Sequence, residues 1–170
     1  MKWIVIAESW RNSAPTIETD VRSTVHDVIE RGDGIVSGGA LGVDYFALDE
    51  ALKLDQTGKQ IKIFIPSTLE VFSTHYRKRA EEGVITQNQA ETLINQLVTL
   101  KNLNKNSLVQ GDDAILDKTS YFNRITMIIE AADEIVTFSV NASEGTQDTI
   151  NKAKNKGIPV KVFNYTVAVE

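Results

Sequence analysis

The sequence contains no cysteine and few histidines, and these absences exclude several kinds of site at once. Without cysteine the chain has no disulfide bond, no thiolate metal site and no cysteine nucleophile. The two histidines, His26 and His75, are far apart along the chain, which argues against a histidine-rich metal site. We therefore expect no bound metal.

Neither an excess of basic residues nor a long hydrophobic run is present. Lysine and arginine total 18 against 23 aspartate and glutamate residues, which gives a formal net charge of −5. This balance argues against a non-specific nucleic-acid binder, although a local basic pocket is compatible with it. The apolar run at residues 3–7 is too short for a membrane span or a signal-peptide core. We expect no membrane partner and a cytoplasmic location.

Apolar strands alternate with amphipathic helices along most of the chain. Its 170 residues, 42% hydrophobic and 24% charged, predict one globular domain over residues 1–170. Repeated β–α–β alternation predicts a mainly parallel sheet covered on both faces, and right-handed crossovers favour an open, doubly wound, Rossmann-like α/β fold. The five predicted strands are residues 2–7, 35–37, 61–65, 134–140 and 160–163.

The alternation is interrupted at about residues 68–119, which we predict to be a helical insertion after the third strand. A polar helix over 69–83 and an amphipathic helix over 89–103 precede a predicted loop over 102–117. The insertion suits a lid or a dimerisation element. The apolar stripe at Leu93 and Leu97 offers a seam for a possible homodimer, or it packs on its own domain.

The most informative segment is the glycine-rich turn after the second strand. Glycine lets the backbone approach a ligand closely, and a helix N-terminus favours an anion such as phosphate. A tight strand–helix turn without a ligand is equally compatible with this segment alone. The turn residues of interest are Ser37, Gly38, Gly39, Gly42 and, in the first turn of the helix, Asp44.

Similar small and polar residues follow two other predicted strands. Because the carboxyl ends of parallel strands meet at one edge of a sheet, the three loops together predict a cradle for phosphate and sugar. The first strand is followed by Glu8, Ser9, Trp10 and Arg11, and the fourth by Ser143, Gly145 and Thr146.

Two well-known phosphate-binding motifs do not fit the turn. A dinucleotide fingerprint would need glycine in place of Ser37 and a position after the first strand. A P-loop needs Gly-Lys-Ser/Thr, whereas Gly58-Lys59-Gln60 lies in a connection. These departures disfavour NAD-dependent and ATPase functions, and we expect no cofactor.

Two motifs resemble known families of Rossmann-like proteins. The segment Ser37-Gly38-x-Ala40-x-Gly42-Val43-Asp44 resembles the helix start of the DNA-processing protein A (Smf) family, within the SLOG superfamily of nucleotide binders. The C-terminal half is similar to the small YpsA-related SLOG proteins. That similarity rests on Asn123-Arg124, Gly145-Thr146 and Ala153-x-x-x-Gly157-Ile158-Pro159-Val160. Together the two resemblances cover residues 1–67 and 120–165.

The resemblance implies binding of a nucleotide or nucleotide-derived small molecule, for sensing, sequestration or processing. The glycine-rich turn, Gly145 and Thr146 would hold phosphate, while Arg124 would supply positive charge. Glu8, Ser9 and Asp44 would meet sugar hydroxyls. Other roles stay open, since Asp44 suits any first helical turn, Trp10 could stack on a base or pack on the sheet edge, and Arg124 could pair with an acidic neighbour.

Two alternative functions follow from departures in the pattern. The phosphoribohydrolases of this superfamily carry a catalytic Glu three residues after Gly-Thr, and Thr149 stands there. Hydrolysis of an N-glycosidic bond would therefore depend on Glu8 or Asp44, both weak catalytic candidates. A DNA-processing or nucleic-acid-interacting protein would need a basic surface from Arg77, Lys78, Arg79 and Arg124. The segment His75–Arg79 is also a candidate lid.

Overall fold

The computed structural model describes residues 1–8, 15–142 and 144–166. None of the described helices combines the length and hydropathy that a membrane crossing needs. The strands are β1 (Trp3–Glu8), β2 (Gly34–Gly38), β3 (Ile61–Ile65), β4 (Leu108–Gln110), β5 (Glu134–Val140) and β6 (Val160–Tyr165). The helices are α1 (Pro15–Glu30), α2 (Val43–Leu54), α3 (Leu69–Glu81), α4 (Gln87–Leu103), α5 (Lys118–Glu130) and α6 (Glu144–Lys156).

The strands form one parallel sheet in the order β4-β3-β2-β1-β5-β6. The prediction of a parallel α/β sheet is confirmed, but the number of strands was wrong because the sheet has six. The additional strand β4 lies in the segment predicted as a loop and pairs Leu108 with Ile63 and Gln110 with Ile65. A three-residue strand carries no periodic signal, and the backbone of β3 at the sheet edge supplies its hydrogen-bond partners.

Alternate residues of the strands enter two hydrophobic layers, as the two-residue period of a strand requires. Ile4 and Ile6 of β1 pack in the cluster that contains the buried residues of α1 and α2, together with Leu93 of α4. Val5, between them, packs on the opposite face with Ile128 of α5 and Ala153 of α6. The sheet is therefore covered on both faces.

The segment predicted as an insertion contributes two helices and a strand to this architecture. Ala90, Leu93, Leu97 and Leu100 of α4 are completely buried, and they share a hydrophobic cluster with Ile63 of the sheet. The apolar stripe of α4 thus packs on its own domain, which was one of the two alternatives, and it is not available as a dimer seam.

The strand order reverses between β1 and β5. From β1 the chain proceeds through β2, β3 and β4 in one direction, and α5 then returns it to the other side of β1. In open α/β sheets this switch point separates the loops at the carboxyl edge and opens a crevice for ligands. At this edge the chain leaves β5 through Asn141 and Ala142, which both have a positive φ of 51°.

Truncation of the α4 stripe tests the assignment of this helix to the core. Leu97→Ala removes a fully buried side chain, so it should lower the free energy of unfolding by about 2–5 kcal/mol. Val98→Ala is the matched control, because Val98 is 38% exposed and its truncation should change stability by only about 0.5 kcal/mol. Urea denaturation measures both variants. Equal losses would contradict this packing of α4.

Candidate functional site

A cavity of about 550 Å³ lies at the carboxyl edge of the sheet, beside the switch point. Its floor includes Ala7 at the end of β1 and Gly38 at the end of β2. Helices α3, α5 and α6 supply its walls, and Asp44 reaches it from the first turn of α2. Its volume falls within the range of about 300–1,000 Å³ that is usual for small-molecule sites.

Gly38 allows two charged side chains to approach the turn closely. A Cβ atom at this position would lie 2.8 Å from Asp44 Oδ2 and 2.9 Å from Arg124 Cζ. Both contacts are shorter than van der Waals separations, so any side chain at residue 38 would displace one of the two groups. Absence of a side chain at Gly38 is therefore a geometric requirement of the site.

Asp44 is a buried carboxylate whose oxygens are held by the turn in front of it. Its Oδ1 lies 2.8 Å from Ser37 Oγ, which can donate to it, and its Oδ2 accepts the Ala40 N–H at 3.3 Å. The Ser37 hydroxyl is also 2.7 Å from the Ile6 carbonyl oxygen, and its single proton serves one acceptor at a time. Burial raises the pKa of Asp44, and the charge of Arg124 and the Ser37 hydroxyl oppose this rise.

Arg124 of α5 presents an incompletely paired guanidinium to the same site. Its Nε and Nη1 atoms are buried and have no hydrogen-bond partner among the described residues. The guanidinium carbon lies 5.0 Å from the centroid of the Tyr121 ring, one helical turn earlier, which gives a cation–π contact. Buried donors of this kind are normally satisfied, and an external anion would satisfy them.

The candidate lid segment, His75–Arg79 of helix α3, faces the cavity on one side and the solvent on the other. His75, Tyr76 and Arg79 line the cavity. Arg77 instead forms an ion pair with Glu91 at 2.8 Å, and Lys78 lies 4.0 Å from Glu82, both on the exposed surface. Only one face of this basic segment therefore belongs to the site, because residues separated by three or four positions share a helix face.

Burial also determines the protonation of the other side chains along this wall. It lowers the pKa of His75, and the nearby charge of Arg79 lowers it further. Burial raises the pKa of Tyr76 and of Tyr121, whose side chains meet across the cavity wall. At neutral pH both phenols are therefore uncharged, and the positive charge on the cavity lining comes from arginine and lysine.

The first turns of α6 complete the site on the opposite side. Gly145, Thr146 and Thr149 line the cavity, and Thr149 Oγ1 donates to the Gly145 carbonyl oxygen at 3.1 Å. The N-terminal end of a helix carries a positive partial charge, so this wall also favours an anion. Thr149 stands at the position where the phosphoribohydrolases have a catalytic Glu, and it carries a hydroxyl group instead of a carboxylate.

The structure brings together five of the predicted site residues around one cavity, namely Gly38, Asp44, Arg124, Gly145 and Thr146. The others of the glycine-rich turn have different surroundings. Ser37 contacts the Asp44 carboxylate through its hydroxyl group. Gly42 precedes α2 with a φ of 81°. Gly39 packs against the core, because a Cβ there would lie 2.6 Å from Ile65 Cγ2.

Several predicted site residues cannot be placed. Glu8 is the last residue of β1 and its backbone lies at the carboxyl edge of the sheet. Ser9, Trp10, Arg11 and Ser143 lie outside the described residues. Their roles in binding stay predictions.

Sequence reasoning did not single out Tyr121 and Lys118 as ligand contacts, although both line the cavity. A weak signal was present, because Tyr121 and Arg124 are three residues apart and so share a helix face. Which face points toward the glycine-rich turn depends on the packing of α5, which is not local information. Among the described residues, no group of three or more histidine, aspartate and glutamate side chains could hold a metal ion.

Solved structures share this fold over nearly the whole chain. DNA processing protein A from Helicobacter pylori, which binds single-stranded DNA, aligns with 95% of this chain at a TM-score of 0.67 and 20% identity. TM1055, a structural genomics target, aligns with 94% at a TM-score of 0.57 and 16% identity. DNA processing protein A (DprA) from Streptococcus pneumoniae aligns with 94% at a TM-score of 0.50 and 16% identity.

These similarities confirm the predicted resemblance at the level of the fold. The chain spans 64% of the Helicobacter pylori protein, 72% of TM1055 and 58% of the Streptococcus pneumoniae protein. No protein-family model matches the chain. A comparison with curated proteins likewise finds no match.

The raised pKa of Asp44 predicts a pH-dependent loss of stability. Between the ordinary value of 3.8 and the higher folded-state value, the unfolded chain is ionised while the folded carboxyl retains its proton. The folded state then binds more protons, so stability falls as pH rises through this window. Asp44→Asn removes the titration, and its stability relative to wild type should therefore improve as pH rises from about 4 toward 7.

Asp49→Asn, on the same helix, is the matched control for this measurement. Although burial opposes them, ion pairs of Asp49 with Arg22 at 2.7 Å and Lys53 at 3.3 Å lower its pKa below 3.8. Asp49 is then ionised in both states above about pH 5, so its stability difference from wild type should be flat there. Urea unfolding across this pH range measures both variants. A flat profile for Asp44→Asn would refute the raised pKa.

Proposed function

We propose that this protein binds a nucleotide or nucleotide-derived small molecule in the cavity at the switch point. The observation that carries the proposal is the Arg124 guanidinium, whose Nε and Nη1 donors are buried beside the cavity without a partner among the described residues. Hydrogen bonds from a guanidinium to phosphate oxygens are assisted by the opposite charges, so a phosphate group suits these donors. The first turn of α6, with Gly145 and Thr146, faces the same space and favours the same charge.

The remaining lining suits the uncharged part of such a ligand. Tyr121 and Phe122 of α5 supply aromatic rings, and Ile125 and Ile128 supply apolar surface. A base could stack on an aromatic ring there, and the hydroxyl groups of a sugar could donate to Asp44. A cavity with one anion-binding end and an apolar wall is typical of nucleotide sites.

Removal of the Arg124 charge tests this function directly. Nucleoside monophosphates should raise the melting temperature of the wild type, because a ligand that binds only the folded state stabilises it. Arg124→Gln should weaken that binding by about tenfold or more, since hydrogen bonds to charged groups contribute about 1.5–3 kcal/mol. Arg77→Gln is the matched control, because Arg77 pairs with Glu91 on the surface and does not line the cavity.

Thermal-shift titration followed by chromatography of the incubated nucleotide measures the outcome. A nucleotide recovered intact indicates a binding or sensing protein, whereas release of free base indicates N-glycosidic hydrolysis, for which Asp44 is the described candidate acid. Stabilisation by no nucleotide, or equal affinity in Arg124→Gln, would overturn the proposal.

Binding of single-stranded nucleic acid is a second candidate function. The fold is shared with a Helicobacter pylori protein that binds single-stranded DNA, and the exposed residues Arg79 and Lys118 line the cavity together with Arg124. A nucleotide within a strand would present the same phosphate and base to these groups. The net charge of −5 limits this function to a local basic surface.

The salt dependence of oligonucleotide binding tests this candidate. A labelled oligo-dT strand should lose affinity steeply with salt, and Arg79→Gln should reduce the logarithmic slope by about one or less, because one phosphate contact is lost. Fluorescence anisotropy at several salt concentrations measures the slope, again with Arg77→Gln as control. Binding that is absent or independent of salt would exclude this function while leaving the mononucleotide site untouched.

A further inference from the structure

Asp44 and Arg124 carry opposite charges beside the same backbone atom of the turn. Asp44 Oδ2 lies 2.8 Å and Arg124 Cζ 2.9 Å from the point where a Cβ atom of Gly38 would stand. The two groups are therefore within about 6 Å of each other, a separation at which charges in proteins interact appreciably. An anion bound to Arg124 would lie in the electric field of both groups.

The hydrogen bonds of Asp44 leave the donors of Arg124 available to a ligand. The carboxylate oxygens are served by Ser37 Oγ at 2.8 Å and the Ala40 N–H at 3.3 Å, both from the turn. Arg124 Nε and Nη1, by contrast, have no partner within the described part of the chain. Asp44 thus contributes negative charge near the guanidinium without occupying these two donors.

We infer that Asp44 is a specificity-determining residue, which makes the Arg124 site accept a singly charged oxyanion in preference to a doubly charged one. The inference rests on the proposed function, since it concerns the anionic group of a ligand in that cavity. Each negative charge on the ligand is attracted by Arg124 and repelled by Asp44. For the second charge of a terminal phosphate, the attraction by Arg124 is therefore largely offset by the repulsion from Asp44. Transfer of that charge from water into the cavity is unfavourable.

The other groups that face Asp44 do not reverse this effect. Ser37 of β2 is a neutral donor, and the buried Tyr76 of α3 interacts with Asp44 as an uncharged phenol at neutral pH. Arg124 of α5 is the cation that acts most strongly on the Asp44 carboxyl. His75 and Arg79 of α3 and Lys118 of α5 line the cavity without a direct hydrogen bond to Asp44. At Gly38 the two nearest charged groups are therefore one carboxylate and one guanidinium.

A matched pair of ligands isolates the charge of the phosphate. Adenosine 5′-monophosphate is doubly charged at pH 8, because its second phosphate pKa is about 6, whereas its O-methyl ester carries one negative charge. Base and sugar are identical in the two probes. Isothermal titration calorimetry with the full chain at pH 8 should show binding of the ester on the order of tenfold tighter than the monophosphate.

Asp44→Asn should reduce this preference to about twofold or less, because the amide keeps the shape and the acceptor oxygen but carries no charge. Asp49→Asn should retain the wild-type ratio, since Asp49 pairs with Arg22 and Lys53 away from the cavity. A ratio of affinities is insensitive to a general loss of structure. An unchanged ratio in Asp44→Asn would therefore overturn the inference.

A measurement on the wild type alone keeps the inference testable if Asp44→Asn does not fold. As pH falls from 8 to 5, the monophosphate gains a proton and carries one negative charge like its ester, so the two affinities should converge. Equal affinities at pH 8 would overturn the inference but leave the proposed function intact, whereas failure of both probes to bind would overturn both.

Discussion

The arrangement of the candidate site depends on the reversal of strand order between β1 and β5. A parallel sheet requires each crossover to run over one face, and right-handed crossovers fix which face that is. The chain covers one face with α1 to α4 as it proceeds to β4, and it must change faces with α5 to reach β5. The loops at the carboxyl edge diverge at this point, and the cavity lies between them.

The same change of face brings Arg124 to the glycine-rich turn. Helix α5 crosses the sheet over β2 and β3, so its inward surface lies above the end of β2. Gly38 has no side chain there, and the guanidinium therefore packs against the backbone next to Asp44. A half-buried cation and a buried carboxylate thus lie beside each other, away from bulk solvent, which strengthens their interaction.

Much of the architecture could be predicted from local pattern. Continuous apolar strands such as residues 61–65 and glycine-rich helix starts such as Ser37–Asp44 carry their structural preference within a few residues. β4 was missed, since its three residues form a strand only because the edge of β3 offers backbone partners. The helices of residues 68–119 were predicted, but packing of the α4 stripe on its own domain stayed one of two alternatives, because an amphipathic face does not identify what covers it.

The sequence by itself determined the class of the fold, the position of the glycine-rich turn and the candidate ligand residues Asp44, Arg124 and Thr146. These depend on hydrophobic period, backbone freedom and charge, which are properties of short segments. Only the tertiary structure decided that Asp44 and Arg124 both approach Gly38 and that Tyr76 meets Tyr121 at the same cavity. Those contacts join helices distant in sequence, and their geometry follows from the packing of whole elements on the sheet.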